Sequence, residues 1–304
     1  MNQKEIIDEI NRLRLEKKAV ILAHTYQPAE VQDVADFVGD SYGLSVKATQ
    51  LSDARLIVFC GVRFMAETAA ILNPQKTVVM PDASAGCPMA DMISGEQLRQ
   101  FKAEHPGAPV VCYVNSTAEV KAESTICCTS SNAVKIVASL GDVPEILFVP
   151  DRNLGQFVEK QLGRKLILWN GFCPIHNAFS LEALRNAKAA HPAAKSLVHP
   201  ETRPELQAEA DHILATGAML DLVKGNDDGE YIIGTECGIK APLEKAAPNA
   251  RFHDVNPPLV CKDMKKTNLE GILRSLKTEE TRIAVPDSVA KKAIEAIKAM
   301  LAVK

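Results

Sequence analysis

Short apolar runs alternate with amphipathic polar stretches from one end of the chain to the other. AVILAH, RLIVFC, TVVM, PVVCYV, EILFVP, KLILW, KSLVH and EYIIG are each followed by a polar turn and a segment of helical period. Short, continuous apolar runs suit strands buried on both faces, and the helical segments between them suit crossovers joining parallel neighbours. The pattern predicts the α/β class, with short parallel sheets. At the N-terminus, MNQKEIIDEINRLRLEKKAV has the spacing of an amphipathic charged helix. It lacks the apolar centre of a secretory signal, and apolar stretches such as LIVFCGV are far short of a membrane span.

Internal repetition organises these units. AHTYQPAEVQDVADFVGDS from Ala23, CYVNSTAEVKAESTICCTS from Cys112 and VHPETRPELQAEADHILAT from Val198 align without a gap. In that register His24, Tyr113 and His199 coincide, as do Tyr26, Asn115 and Glu201, then Glu30, Glu119 and Glu205, and finally Ser41, Ser130 and Thr216. The polar positions recur just past a strand and again where the next helix begins. That is the carboxyl edge of a parallel sheet, where open α/β folds bind ligands. Cys87, Cys173 and Cys261 keep nearly the same period, spaced by 86 and 88 residues, each in an irregular loop after a strand. Three like domains around a pseudo-threefold axis would bring those loops together. The expected division is 1–85 with a C-terminal helix at about 270–304, then 86–172, then 173–269.

Composition narrows the partners. Lys and Arg number 35 against 38 Asp and Glu, and no basic run of five or more occurs, so a small metabolite is expected rather than nucleic acid. G-x-G-x-x-G, G-x-x-x-x-G-K-S/T, H-E-x-x-H and G-x-S-x-G are all missing. Dinucleotide, nucleotide triphosphate, zinc-protease and serine-hydrolase readings therefore lack support. A cytoplasmic chain with eight cysteines uses them as buried thiols or metal ligands, because a reducing compartment disfavours disulfides.

Cys60 and Cys112 sit inside apolar strand patterns and read as core residues. The adjacent Cys127 and Cys128, near an expected helix start, read as structural. Cys87, Cys173 and Cys261 lie in loops, two of them followed by Pro, as iron–sulfur ligands often are. No C-x-x-C pair points to structural zinc. Cys237, in GTECGI, is the rival for the third ligand position, but it falls only 64 residues after Cys173 and breaks the period. A cluster held by three thiolates keeps one iron open to a substrate oxygen, and such an iron acts as a Lewis acid that helps a hydroxyl leave. Around it, Ser41, Ser130 and Thr216 at helix N-termini favour anions such as carboxylates and phosphate, or serve simply as caps. His24 with Tyr26, and His199 with Glu201, are candidates for moving protons. His176, three residues after Cys173, either contacts substrate or caps its loop.

These residues resemble the quinolinate synthase family. The resemblance rests on LAHTYQPAEVQDVADFVGDS, FCGVRFMAETA, YVNSTAEVKA, CTSSNA, FVPDRNLG, GFCPIH, HPE, ATGAM and GTECGI, in order, over nearly the whole length. It implies three similar three-layer α/β domains and a 4Fe-4S cluster on Cys87, Cys173 and Cys261 at the bottom of a central cavity. It implies condensation of iminoaspartate with dihydroxyacetone phosphate to quinolinate, releasing phosphate and two waters, in NAD biosynthesis. His24, Ser41, Tyr113, Asn115, Ser130, His199, Glu201 and Thr216 match positions that hold iminoaspartate or its products, and His176 is close enough to join them. Tyr26 matches a tyrosine of proton transfer, and Glu201 matches a proposed base. A functional link to the L-aspartate oxidase that makes iminoaspartate, and a monomer or homodimer, follow as expectations. The departures are the cysteine after GTE and the sequence NPPLVCKDMKK around the third ligand. Rival readings are an aconitase-like hydro-lyase and an iron–sulfur sensor or electron carrier, the latter needing a fourth ligand or a nucleic-acid surface.

Overall fold

A computed structural model describes residues 1–51, 53–226 and 228–303; Lys304, the end of the expected C-terminal helix, lies outside them with Ser52 and Asp227. The first unit holds β1 (Ala19–His24), β2 (Phe37–Gly39), β3 (Leu56–Cys60) and β4 (Thr77–Val79), in the order β2-β1-β3-β4. The second holds β5 (Val110–Tyr113), β6 (Ile126–Cys128), β7 (Leu147–Val149) and β8 (Ile167–Leu168), in the order β6-β5-β7-β8. The third holds β9 (Lys195–Val198), β10 (His212–Ile213), β11 (Glu230–Gly234) and β12 (Arg251–Asp254), in the order β10-β9-β11-β12. All pairings between these strands are parallel. The chain thus has the α/β fold expected, built three times with one topology.

The eight apolar runs became β1, β3, β4, β5, β7, β8, β9 and β11. Periodicity missed β2, β6 and β10, which are two or three residues long, and β12, whose RFHD is polar and partly exposed. Two residues carry no readable period. Cys127 and Cys128 consequently lie within β6, not near a helix start, and they are fully buried, as are Cys60 in β3 and Cys112 in β5.

The repeat extends to individual hydrogen bonds. Asp36 Oδ2 accepts from Ile21 N at 2.8 Å, Thr125 Oγ1 from Val110 N at 2.9 Å, and Asp211 Oδ2 from Ser196 N at 3.0 Å. Each acceptor stands just before the second strand of its unit and satisfies an amide of the first. An unpaired buried amide costs about 1–3 kcal/mol, a penalty that each of these acceptors removes.

Parallel sheets are covered on both faces. In the first unit Ile21, Leu56 and Val58 meet Ile6 and Ile10 of the helix Gln3–Glu16 and Ile272 and Leu276 of the helix Leu269–Thr278. Its other face, with Leu22 and Ile57, shares one core with Leu197 and Ile233 of the third unit, so these two units are fused by apolar packing. Each such fully buried aliphatic contributes about 1.5–3 kcal/mol. The C-terminal segment expected with the first unit divides. Leu269–Thr278 packs there, whereas Asp287–Ala302 packs on β6 and the helix Ala118–Ala122 of the second unit. Its Ala293, Ala296, Ile297 and Met300 form one stripe, which closes the core containing Ile126 and Cys127.

Candidate active site

β1, β5 and β9 all end toward one cavity of about 270 Å³. Every residue singled out above for ligand or substrate chemistry lines it: Cys87, Cys173 and Cys261, His24, Tyr26, Ser41, Tyr113, Asn115, Ser130, His176, His199, Glu201 and Thr216. Cys237 is not among the lining residues; its Sγ lies 3.8 Å from Glu236 Oε1. Among the described residues no fourth cysteine lines the cavity.

Each lining cysteine follows the fourth strand of its unit and is fixed through its backbone. Cys173 N donates to Asp151 Oδ2 at 2.9 Å, and Cys261 N to Glu236 Oε1 at 3.0 Å. Gly86 N, beside Cys87, donates to Asp263 Oδ1 at 3.2 Å and so ties the Cys87 loop to the Cys261 loop. Burial raises all three thiols, Cys87 to about 12, and the charge of Glu201 adds to the effect on Cys87 and Cys173. The charge on Cys261 would also raise Cys87, and that on Cys87 would raise Cys173. Partly buried thiols held in this way ionise readily only beside a cation.

A continuous hydrogen-bonded chain joins Tyr26 to Glu201. Tyr26 Oη lies 2.7 Å from Thr235 Oγ1, Thr235 Oγ1 lies 2.8 Å from His176 Nε2, and His176 Nδ1 lies 2.6 Å from Glu201 Oε2. Thr216 Oγ1 extends it at 3.1 Å from Tyr26 Oη. His24 and His199, equivalent in the repeat, are held alike: Nδ1 of His24 accepts from Tyr26 N at 3.1 Å, and Nδ1 of His199 from Glu201 N at 3.3 Å. That bond leaves the ring proton on Nε2. Burial lowers both histidines to about 3, so they are neutral at neutral pH. Burial would raise Glu201, but the neighbouring imidazoles and the hydrogen bonds from His176 and Tyr113 outweigh it and hold the carboxyl below its ordinary range. Burial pushes the Tyr26 and Tyr113 phenols up, so both keep their protons.

Ser41 and Thr216 are the first residues of the helices Ser41–Thr49 and Thr216–Lys224, and Ser130 stands two residues before Asn132, which precedes Ala133–Ser139. None is the cap itself. Asp40 caps the first helix, accepting from Gly43 N at 2.7 Å.

Sequence reasoning missed Thr235, Glu236, Lys265 and Asp151. Thr235 and Glu236 sit in the quoted GTECGI, but nothing in spacing singles them out. Glu236 is 1% exposed, and Lys265 Nζ neutralises it at 3.0 Å. Asp151 is fully buried, and burial and the Glu201 charge push its carboxyl up.

Residues 8–302 match the family described as Quinolinate synthetase A protein. The chain belongs to that family. Relatives named quinolinate synthase include one from Dehalococcoides mccartyi, 54% identical over 98% of both chains. Another, from Methanosarcina barkeri, is 50% identical over 100% of this chain and 99% of its own. A third, from Thermodesulfovibrio yellowstonii, is 49% identical over 97% of each. Full-length likeness at this level makes the chain an enzyme of the quinolinate synthetase A family.

Among the described residues, two groups present metal-ligating atoms close together. One, Cys173, His176 and Glu201, belongs to the cavity. The other, His191, Glu230 and His253, lies outside it. There the two imidazoles stack face to face at 3.5 Å, so their in-plane lone pairs run side by side and do not converge on one ion, and Arg251 already holds Glu230 at 2.6 Å. Among the described residues no helix is long and apolar enough to cross a membrane.

Proposed function

We propose that the enzyme condenses iminoaspartate with dihydroxyacetone phosphate to quinolinate, releasing phosphate and two waters, in cytoplasmic NAD biosynthesis, with a 4Fe-4S cluster on Cys87, Cys173 and Cys261. The observation that carries this reading is the meeting of those three loops, from three units, in one cavity with the polar residues of all three turns. The donors fit such a group. Three thiols with no fourth cysteine in the lining suit a cluster with one open iron, and two buried atoms at the same cavity, Asn115 Oδ1 and Glu201 Oε1, have no hydrogen-bond partner within the protein. When bound, the cluster supplies a Lewis acid that polarises oxygen and eases loss of hydroxide.

The protein's own residues do the rest. The amide of Asn115 and the hydroxyls of Ser41, Ser130 and Thr216 hold anionic groups, aided by helix N-termini at Ser41 and Thr216. His24 and His199, neutral and with Nε2 protonated, orient the dicarboxylate as donors without adding charge. Glu201, ionised, takes a proton on its carboxylate, and Tyr26 gives or receives one at Oη. The bonds through Thr235 and His176 let the two groups exchange it without solvent. Met65, Met89 and Met264 supply apolar wall, which keeps water from the imine.

The test is anaerobic incubation of the iron-loaded enzyme with both substrates, following quinolinate and phosphate together. Equimolar appearance of the two is expected. Enzyme with a full complement of iron and sulfide that makes neither would refute the reading.

A further inference from the structure

The turns that carry Tyr26, Asn115 and Glu201 are each tied down by one buried side chain at the same place in the repeat. Gln32, Lys121 and Gln207 occupy equivalent positions of the three aligned segments. Gln32 Nε2 donates to Thr25 O at 3.0 Å and Gln27 O at 2.8 Å. Lys121 Nζ donates to Ser116 O at 2.7 Å. Gln207 Nε2 donates to Pro200 O at 2.9 Å and Thr202 O at 2.6 Å. The carbonyls satisfied this way flank Tyr26, Asn115 and Glu201 directly. All three donors are buried, and none lines the cavity.

Each turn is also bonded to a neighbouring unit, and the three links close on themselves. The helix Arg63–Leu72 of the first unit reaches the second turn: Glu67 Oε2 accepts from Ala118 N at 3.0 Å, and Phe64 O from Lys121 Nζ at 3.4 Å. The helix Arg152–Leu162 of the second unit reaches the third turn through Asn153 Nδ2, which donates to Glu201 O at 2.9 Å. The turn Cys237–Ile239 of the third unit reaches the first through Gly238 O, which accepts from Gln32 Nε2 at 3.2 Å. In every unit the bracing segment follows the third strand. First braces second, second braces third, and third braces first.

We propose that Gln32, Lys121 and Gln207 are positioning residues which, with this ring of links, lock the three turns together so that Tyr26, Asn115 and Glu201 face the cavity as one fixed set. The proposal rests on the reading of those three as site residues given above. Its physical basis is preorganisation: a group carried on a turn is only as well placed as the turn's own carbonyls, and those are pinned here by buried donors. A neutral amide does the work at two of the three positions. The clamp is therefore a hydrogen-bond donor, and the ammonium of Lys121, set 5.3 Å over the Phe64 ring, fills the same role.

The test uses the iron-loaded full chain. Gln207→Met keeps length and removes the donor, and a misplacement on the order of 1 Å lowers kcat about a hundredfold. KM is expected to stay within about threefold of wild type, because the contacts that bind substrate remain. Iron and sulfide per chain stay unchanged, and amides of residues 199–203 exchange faster with deuterium. Asn153→Ala, a change in another unit, speeds exchange in the same segment. Lys121→Gln retains kcat while Lys121→Met loses it. Wild-type kcat and exchange in Gln207→Met, or equal defects in Lys121→Gln and Lys121→Met, would overturn the proposal. If Gln207→Met fails to fold, Asn153→Ala and the Lys121 pair decide. If the wild-type enzyme forms no quinolinate, the reading of the reaction fails, whereas the exchange measurements still judge the clamp.

Discussion

Thr235→Val removes one hydroxyl from the middle of the Tyr26 to Glu201 chain and keeps the shape of the side chain. Thr235 Oγ1 sits 2.7 Å from Tyr26 Oη and 2.8 Å from His176 Nε2, at a residue 1% exposed. Tyr26 keeps a second partner in Thr216 at 3.1 Å, but the substitution strips His176 Nε2 of the bond to Thr235. Leaving that buried nitrogen unmet costs about 1–3 kcal/mol of stability. The kinetic cost is separate. Positioned proton transfer is worth about a hundredfold or more, which is about 2.7 kcal/mol of barrier at 1.36 kcal/mol per tenfold. Anaerobic steady-state kinetics should therefore show kcat down about a hundredfold with KM little changed, since Thr235 is not a lining residue. Thr235→Ser, which keeps the hydroxyl and loses a methyl, should recover most of kcat. Wild-type kcat in Thr235→Val would show that Tyr26 and Glu201 do not exchange protons along this chain.

Replacing Cys87, Cys173 or Cys261 with Ala should cut iron and sulfide per chain and bleach the brown colour, while Cys237→Ala should keep both; elemental analysis with visible spectra decides. Acid should destabilise the fold through His24 and His199, whose folded values of about 3 lie below the ordinary 6.5. Their contribution is full above pH 6.5 and is lost as pH falls toward 3, roughly 2 kcal/mol for each histidine between pH 7 and pH 5. Denaturant titrations at the two pH values measure it, and His24→Gln should flatten the dependence. Gly238→Ala should cost about 1–3 kcal/mol, because a Cβ there would stand 2.5 Å from Tyr26 O and 2.6 Å from Lys265 Nζ. A melting temperature equal to wild type would show that the Tyr26 turn gives way freely.

The α/β class and the threefold repeat were legible in the chain because strands buried on both faces must be continuously apolar and because the repeat copies its polar positions in register. The candidate site was legible for the same reason: residues just past a first strand stand at a carboxyl edge whatever the sheet packs against. Only the tertiary structure decided how the units meet. It joined Tyr26 to Glu201 through Thr235 and His176. It closed the ring of braces from Glu67, Asn153 and Gly238, and it gave the helix Asp287–Ala302 to the second unit. Each of these contacts pairs groups far apart along the chain. Periodicity reports which face of an element is apolar, but the partner of that face, and of any buried donor, is set by how separate elements pack in space.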